Sequence, residues 1–144
     1  MKKKLIEIVN NTLDWKDAIK KGVNLLVKDE ACDETYAEAI FESTKKHGPY
    51  YVIAPLLALA HAEAGIGVKQ VGLSLVLFKE PIMFSSDEKH KVNLLFTLCT
   101  TTPDDHIETL QKFATVFANN PNLTKELIAC NSVDDLYEKL KEIE

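Results

Sequence analysis

Tyr50-Tyr51-Val52-Ile53-Ala54-Pro55-Leu56-Leu57-Ala58-Leu59-Ala60-His61 is the stretch on which the fold turns. Its first five residues are aromatic or apolar and mostly β-prone, and Pro55 bounds them, so they predict a short strand. Leu56 to Ala60 is apolar throughout and ends at His61, a second extended segment. The run Ala62-Glu-Ala-Gly-Ile-Gly67 then predicts a loop by its glycines. Further along, Val71, Leu73, Leu75 and Leu77 alternate with Gly72, Ser74, Val76 and Phe78, a strand that Pro81 is expected to close. Lys91 to Thr101 repeats that alternation. Four strands therefore occupy the middle of the chain.

On either side the apolar period changes to a helical one. Asp14 can cap a helix whose stripe is Ala18, Ile19, Val23, Leu25 and Leu26, ending near Lys28. Asp33 opens a second helix with Tyr36, Ala37, Ile40, Phe41 and Thr44 on one face, stopped by His47-Gly48-Pro49. After the strands, Asp104 is the expected cap of a helix carrying Ile107, Leu110, Phe113, Ala114 and Phe117, broken at Asn119-Asn120-Pro121. A short helix near Leu123–Cys130 and a last one from Ser132 to about Lys141 complete the order α α β β β β α α α. Central strands between groups of helices imply an α/β fold, a mixed central β-sheet with helices on both faces. Nothing divides the chain, so residues 1–144 are read as a single domain.

Composition narrows the chemistry. The 144 residues are 46% hydrophobic and 27% charged, the balance of a globular protein that is not membrane-spanning. All 17 basic residues are lysines, and the net charge is −5. A chain with neither basic excess nor arginine forks is a poor fit to nucleic acid. The one lysine cluster, Lys2–Lys4, reads as a solvated tail. Cys32, Cys99 and Cys130 show no paired spacing, which argues against a disulfide framework or a metal knuckle and suits a reducing cytoplasm. Cys99, inside a predicted strand, reads as a small buried hydrophobe. Glu7 interrupts any signal-peptide core, and the apolar run from Tyr50 to Ala62 is shorter than the roughly 20 residues a bilayer requires. The expected location is cytoplasmic.

Four histidines remain as candidates. His47 and His90 lie in polar turn sequences and are expected to be solvated. His61 sits where a strand meets a small-residue loop, so its ring should emerge beside exposed backbone. His106 sits just inside a helix start, where unpaired N–H groups and the positive helix end favour an anion. Taken singly, each position is more often filled by a satisfied structural histidine than by a reactive one. No His-x-x-x-His, Gly-x-Ser-x-Gly or Walker pattern occurs, and Gly65-Ile66-Gly67 precedes a strand where a dinucleotide fingerprint needs a helix. Neither a metal nor an organic cofactor is called for.

Taken together, Gly-Pro-Tyr-Tyr-Val-Ile-Ala-Pro (48–55), Ala-Leu-Ala-His-Ala (58–62), Gly-Leu-Ser-Leu-Val-Leu-Phe-Lys-Glu-Pro-Ile-Met-Phe (72–84) and Asp105-His106-Ile-Glu-Thr-Leu110 resemble the IIA domain of the bacterial sugar phosphotransferase system (PTS). The likeness is to the mannitol/fructose superfamily, closest to the ascorbate-type branch, and extends over nearly the whole chain. It implies an α/β sandwich around a mixed sheet. It also implies that His61 takes a phosphoryl group from the phosphocarrier HPr and passes it to a IIB partner, with His106 as the phosphate-stabilising second histidine. Membrane association would be indirect, through a IIC component. Transport of a sugar, with ascorbate as the branch points, is the implied function.

The chain departs from that family's pattern at several places, including Ala64-Gly65 where the family commonly has Pro-Glu. Ala60 stands where the family usually has Pro before the histidine, and Glu63 where it commonly has Arg. Leu56 and Ser85 stand at positions where the family has Gly. These changes motivate a second reading, a regulatory IIA-like binding domain that controls a transporter or kinase without phosphotransfer for sugar uptake.

Overall fold

In the computed structural model, which describes residues 1–143, the side chains of the three long apolar strands sort onto two faces with a period of two. The strands are β3 (Leu56–Ala60), β4 (Gly72–Met83) and β5 (Lys91–Cys99). Leu57, Leu59, Leu75, Leu77, Leu94, Phe96 and Leu98 enter one core, while Ala58, Ala60, Val76, Phe78, Leu95 and Cys99 enter the other. Val92 joins the second group and not the face of Leu94, because the register against β3 skips Asn93. A strand buried on both sides reads as a continuous apolar run, which is how these residues look in the sequence. Each fully buried leucine contributes about 2 kcal/mol.

The first core is closed by α1 (Trp15–Lys28) and α2 (Thr35–His47). The second is closed by α3 (Pro103–Asn119), α4 (Leu123–Ile128) and α5 (Val133–Ile143). Two further strands, β1 (Ile6–Val9) and β2 (Val52–Ala54), form the edges of a five-stranded sheet of order β1-β4-β5-β3-β2. β1 runs parallel to β4 and β3 parallel to β5, whereas β4–β5 and β3–β2 are antiparallel. The α/β fold with helices on both faces of a mixed sheet agrees with the sequence reading.

Several details differ from it. β1 was not expected, because four residues interrupted by Glu7 carry little signal until β4 offers a partner (Ile6 opposite Leu75, Ile8 opposite Leu77). Lys2–Lys4 are exposed but not a free tail: Lys2 and Lys4 pair with Asp29 at 3.2 and 2.7 Å, and Lys3 with Asp134 at 2.6 Å. These contacts fasten the strand's entry to the end of α1 and to α5. β4 does not stop at Pro81 but continues to Met83, since the register against β5 shifts between Leu77 and Ile82 and Pro81 need supply no rung there.

Helix starts are also displaced. The cap of α3 is Thr102, whose hydroxyl accepts from the Asp105 N–H at 3.1 Å, and Pro103, not Asp104, takes the first turn. Asp33 accepts from the Thr35 N–H at 3.0 Å one residue outside α2. On α3 the apolar stripe is Leu110, Phe113, Val116 and Phe117, while Ile107 and Ala114 face solvent. Phe113 packs edge-on to Phe96 at 4.9 Å. No described helix is long and apolar enough to cross a membrane.

The link between β2 and β3 bears on the site. Leu56 adopts φ +67°, a left-handed conformation that costs a non-glycine residue about 1 kcal/mol. Ser85, by contrast, needs no positive φ, and its hydroxyl bonds His90 Nδ1 at 2.6 Å.

Candidate functional site

Because β3 and β5 are parallel neighbours, their C-terminal ends lie side by side at one edge of the sheet. His61 follows the last residue of β3. Thr100 follows β5, and after a short turn α3 begins and carries His106 in its first turn. The two imidazoles consequently meet, with ring centroids 4.9 Å apart and planes tilted by 59°.

Each ring is held by one nitrogen. His61 Nδ1 lies 2.7 Å from the Leu59 carbonyl, an acceptor only, so Nδ1 carries the hydrogen and Nε2 presents its lone pair. His106 Nδ1 lies 3.0 Å from the Thr100 hydroxyl, which has no other bonded partner among the described residues. A hydroxyl both donates and accepts, so this bond holds the ring by Nδ1 in either neutral tautomer of His106. His61 Nε2 thus offers an electron pair, with the His106 ring beside it. Burial lowers the proton affinity of His61 below the ordinary histidine value, partly offset by the Leu59 carbonyl, and His106 lowers it further. Burial lowers that of His106 as well. Both shifts favour neutral rings at neutral pH.

The pair opens into a depression of about 730 Å³ lined by Ser43, His47, Tyr50, Glu63, Pro103 and Ile107 among others. Tyr50 and Ile107 are large exposed apolar groups at its rim. Tyr50 stands edge-on to the His61 ring at 5.2 Å, and its hydroxyl donates to the His61 carbonyl at 2.6 Å. The loop after His61 is tied to the end of β5 by the Gly65 N–H on the Thr100 carbonyl at 2.9 Å. Glu63 and Ala64 line the same depression, and their N–H groups have no partner among the described residues.

Sequence reasoning singled out His61 and His106, and the structure brings them together. At the start of α3 the Asp105 N–H is occupied by Thr102 Oγ1 and the His106 N–H by the Thr102 carbonyl at 3.1 Å, which leaves the Asp104 N–H without a partner among the described residues. The loop after His61 adds open backbone donors at Glu63 and Ala64. His47 is exposed, as expected, yet lines the depression. His90 is half-buried on Ser85, not solvated. Cys99 is buried as expected, and both it and Cys32 are free thiols. Tyr36, Tyr50 and Thr100 were not singled out for the site. Only Tyr50 carried a signal, an aromatic immediately after the Gly-Pro break that β2 does not absorb.

Comparison with known proteins gives a consistent result. The family model described as phosphoenolpyruvate-dependent sugar phosphotransferase system, EIIA 2 matches residues 1–143. The ascorbate-specific PTS system EIIA component of Escherichia coli (strain K12) is 34% identical over 123 residues, covering 85% of this chain and 79% of that protein. The protein of the same name from Salmonella typhimurium (strain LT2) is 33% identical over 123 residues, with the same coverage. The solution structure of the mannitol-specific cryptic phosphotransferase enzyme IIA of Escherichia coli superposes with a TM-score of 0.87 at 27% identity, covering 96% of this chain and 93% of that one. On sequence and fold together, the chain belongs to the EIIA 2 family of the phosphoenolpyruvate-dependent sugar phosphotransferase system and is a phosphotransferase.

Proposed function

We propose that this protein is a phosphoryl carrier in which His61 Nε2 is the acceptor, charged by phospho-HPr and discharged to a IIB partner during uptake of a sugar. The observation that carries the reading is the bond from His61 Nδ1–H to the Leu59 carbonyl, which leaves Nε2 unprotonated beside His106. Ascorbate is the proposed sugar, by similarity to the ascorbate-specific components. The proposed location is the cytoplasm, with the membrane reached only through the IIB and IIC components.

In the charging step the Nε2 lone pair attacks the phosphorus of the donor's phosphohistidine. The new N–P bond forms as the donor's N–P bond breaks, and the electron pair of the latter returns to the donor ring. His61 then bears a hydrogen on Nδ1 and the phosphoryl group on Nε2, so its ring is cationic and the Leu59 carbonyl stabilises it. Transfer of a phosphoryl group through a loose transition state depends on positioning and on donors to its equatorial oxygens. His106 Nε2–H and the Glu63 and Ala64 N–H groups are the donors proposed. Glu63, where a cation is commonly found in the family, adds a negative charge to the rim, so the neutral donors carry more of the stabilisation.

The test is incubation with enzyme I, HPr and labelled phosphoenolpyruvate, followed by addition of candidate IIB proteins. Alkali-stable, acid-labile label on the wild type that is absent from His61→Ala supports the assignment. Label that persists in His61→Ala removes it.

A further inference from the structure

The β3–β5 ladder is broken at a revealing place. The Leu59 N–H bonds outward to the Tyr51 carbonyl at 2.9 Å, so the alternate amides of β3, those of Ala58 and Ala60, face β5. Ala60 is opposite Thr97, and the next rung of this parallel pair would join the Ala62 N–H to the Leu98 carbonyl. That rung is not made directly. The phenol of Tyr36, reaching in from α2, stands in it: its oxygen accepts from the Ala62 N–H at 2.9 Å, and its hydroxyl donates to the Leu98 carbonyl at 2.7 Å. Two hydrogen bonds in series hold the two backbones farther apart than the ~2.9 Å of a direct N–H···O contact.

The opening falls at His61, the residue between Ala60 and Ala62. Tyr36 is 1% exposed, so water does not compete for either bond. Burial raises its proton affinity well above that of an ordinary tyrosine, which keeps the donor hydrogen in place.

We propose that Tyr36 is a positioning residue for phosphoryl transfer: its hydroxyl serves as an inserted rung that spreads β3 from β5 and fixes the angle at which His61 leaves the sheet toward His106. This role rests on the reading of His61 as the acceptor. Tyr36 touches no reacting atom and acts through the backbone of Ala62.

The test compares Tyr36→Phe with Tyr51→Phe in the full chain. The second change also removes a buried phenol hydroxyl, one bonded to Thr44 Oγ1 at 2.8 Å. Tyr36→Phe is expected to lower the limiting rate of transfer from labelled phospho-HPr at least tenfold, with the half-saturating donor concentration within twofold. It should also speed Ala62 amide exchange at least tenfold and move the ¹⁵N resonances of the His61 ring. Tyr51→Phe should stay within twofold of the wild-type rate. A Tyr36→Phe protein that transfers as fast as wild type, or loses no more than Tyr51→Phe, overturns the proposal. If wild type accepts no phosphate, the reading of His61 fails separately. Ala62 exchange and the His61 resonances still decide the positioning role, and unchanged values overturn it. If Tyr36→Phe does not fold, a nuclear Overhauser contact in wild type between the Tyr36 hydroxyl and Ala62 amide protons is the expected result, and a hydroxyl proton exchanging too fast to observe overturns it.

Discussion

His61 and His106 stand with their rings 4.9 Å apart, with the Nε2 lone pair of His61 left free by the Leu59 carbonyl and His106 held by Nδ1 on Thr100. Neither ring chooses this alone. The Leu59 carbonyl selects the tautomer of His61, and the Thr100 hydroxyl orients the His106 ring.

That division of labour predicts unequal mutants. His61→Ala should accept no label from phospho-HPr. His106→Ala should still accept it, but roughly 100-fold more slowly, the usual effect of losing one donor to a transferring group. Both proteins should keep the far-ultraviolet circular dichroism of the wild type. Equal rates for His106→Ala and wild type would exclude a stabilising role for the second ring.

The shifted titrations have a sign that can be checked. Burial first, and then the neighbouring ring, lower His61 below its ordinary value near 6.5, and burial lowers His106. Carbon-13 nuclear magnetic resonance of the two rings should therefore give midpoints under 6.5, leaving His61 nucleophilic through the neutral range. Folded rings that resist protonation while unfolded ones accept it destabilise the fold in acid. Stability contributed by these two groups is full above about pH 6.5 and is lost as pH falls through their folded values. A midpoint at or above 6.5 for His61 contradicts the burial argument.

Helix α1 approaches the sheet so closely at Gly22 that a Cβ there would lie 3.1 Å from Thr97 Cβ and nearer still to Thr97 Oγ1. Gly22→Ala should destabilise by about 3 kcal/mol, an overpacking effect measured by urea denaturation. The same Thr97 hydroxyl is buried without a hydrogen-bond partner among the described residues. Thr97→Val removes that orphan while keeping the shape, and should stabilise by about 1 kcal/mol. Destabilisation on that change would show that the hydroxyl is satisfied in solution.

The end of α1 offers a surface test. Glu30 holds φ +61° at the position after the cap, with the Ala31 N–H returned to the Leu26 carbonyl at 2.9 Å and the Glu30 N–H to Val27 at 3.0 Å. This wrap-around ending favours glycine, and Glu30 is exposed. Glu30→Gly should raise stability by about 1 kcal/mol without altering label acceptance. A loss of stability would mean that the glutamate makes a favourable contact in solution.

The sequence alone determined the class of fold and singled out the two histidines as candidates. Period-two runs such as Leu73–Phe78 and Leu94–Cys99 sort their side chains onto two faces as strands do, and stripes such as Ala18–Leu26 bury one apolar face as helices do. These are local properties, visible without partners. β1 lacked such a signal because its four residues are stabilised by β4, and Pro81 read as an end because the register shift that accommodates it belongs to the β4–β5 pair. Strand order is a property of the whole chain. Only when β3 settles parallel to β5 do their ends coincide, bringing His61 to His106 and opening the gap that Tyr36 fills from a third element. Hydrogen-bond partners such as Leu59, Thr100 and Leu98 are backbone or small polar groups whose residue type carries no message about a site. Their meaning lies in the distances of a few ångströms that the tertiary structure sets.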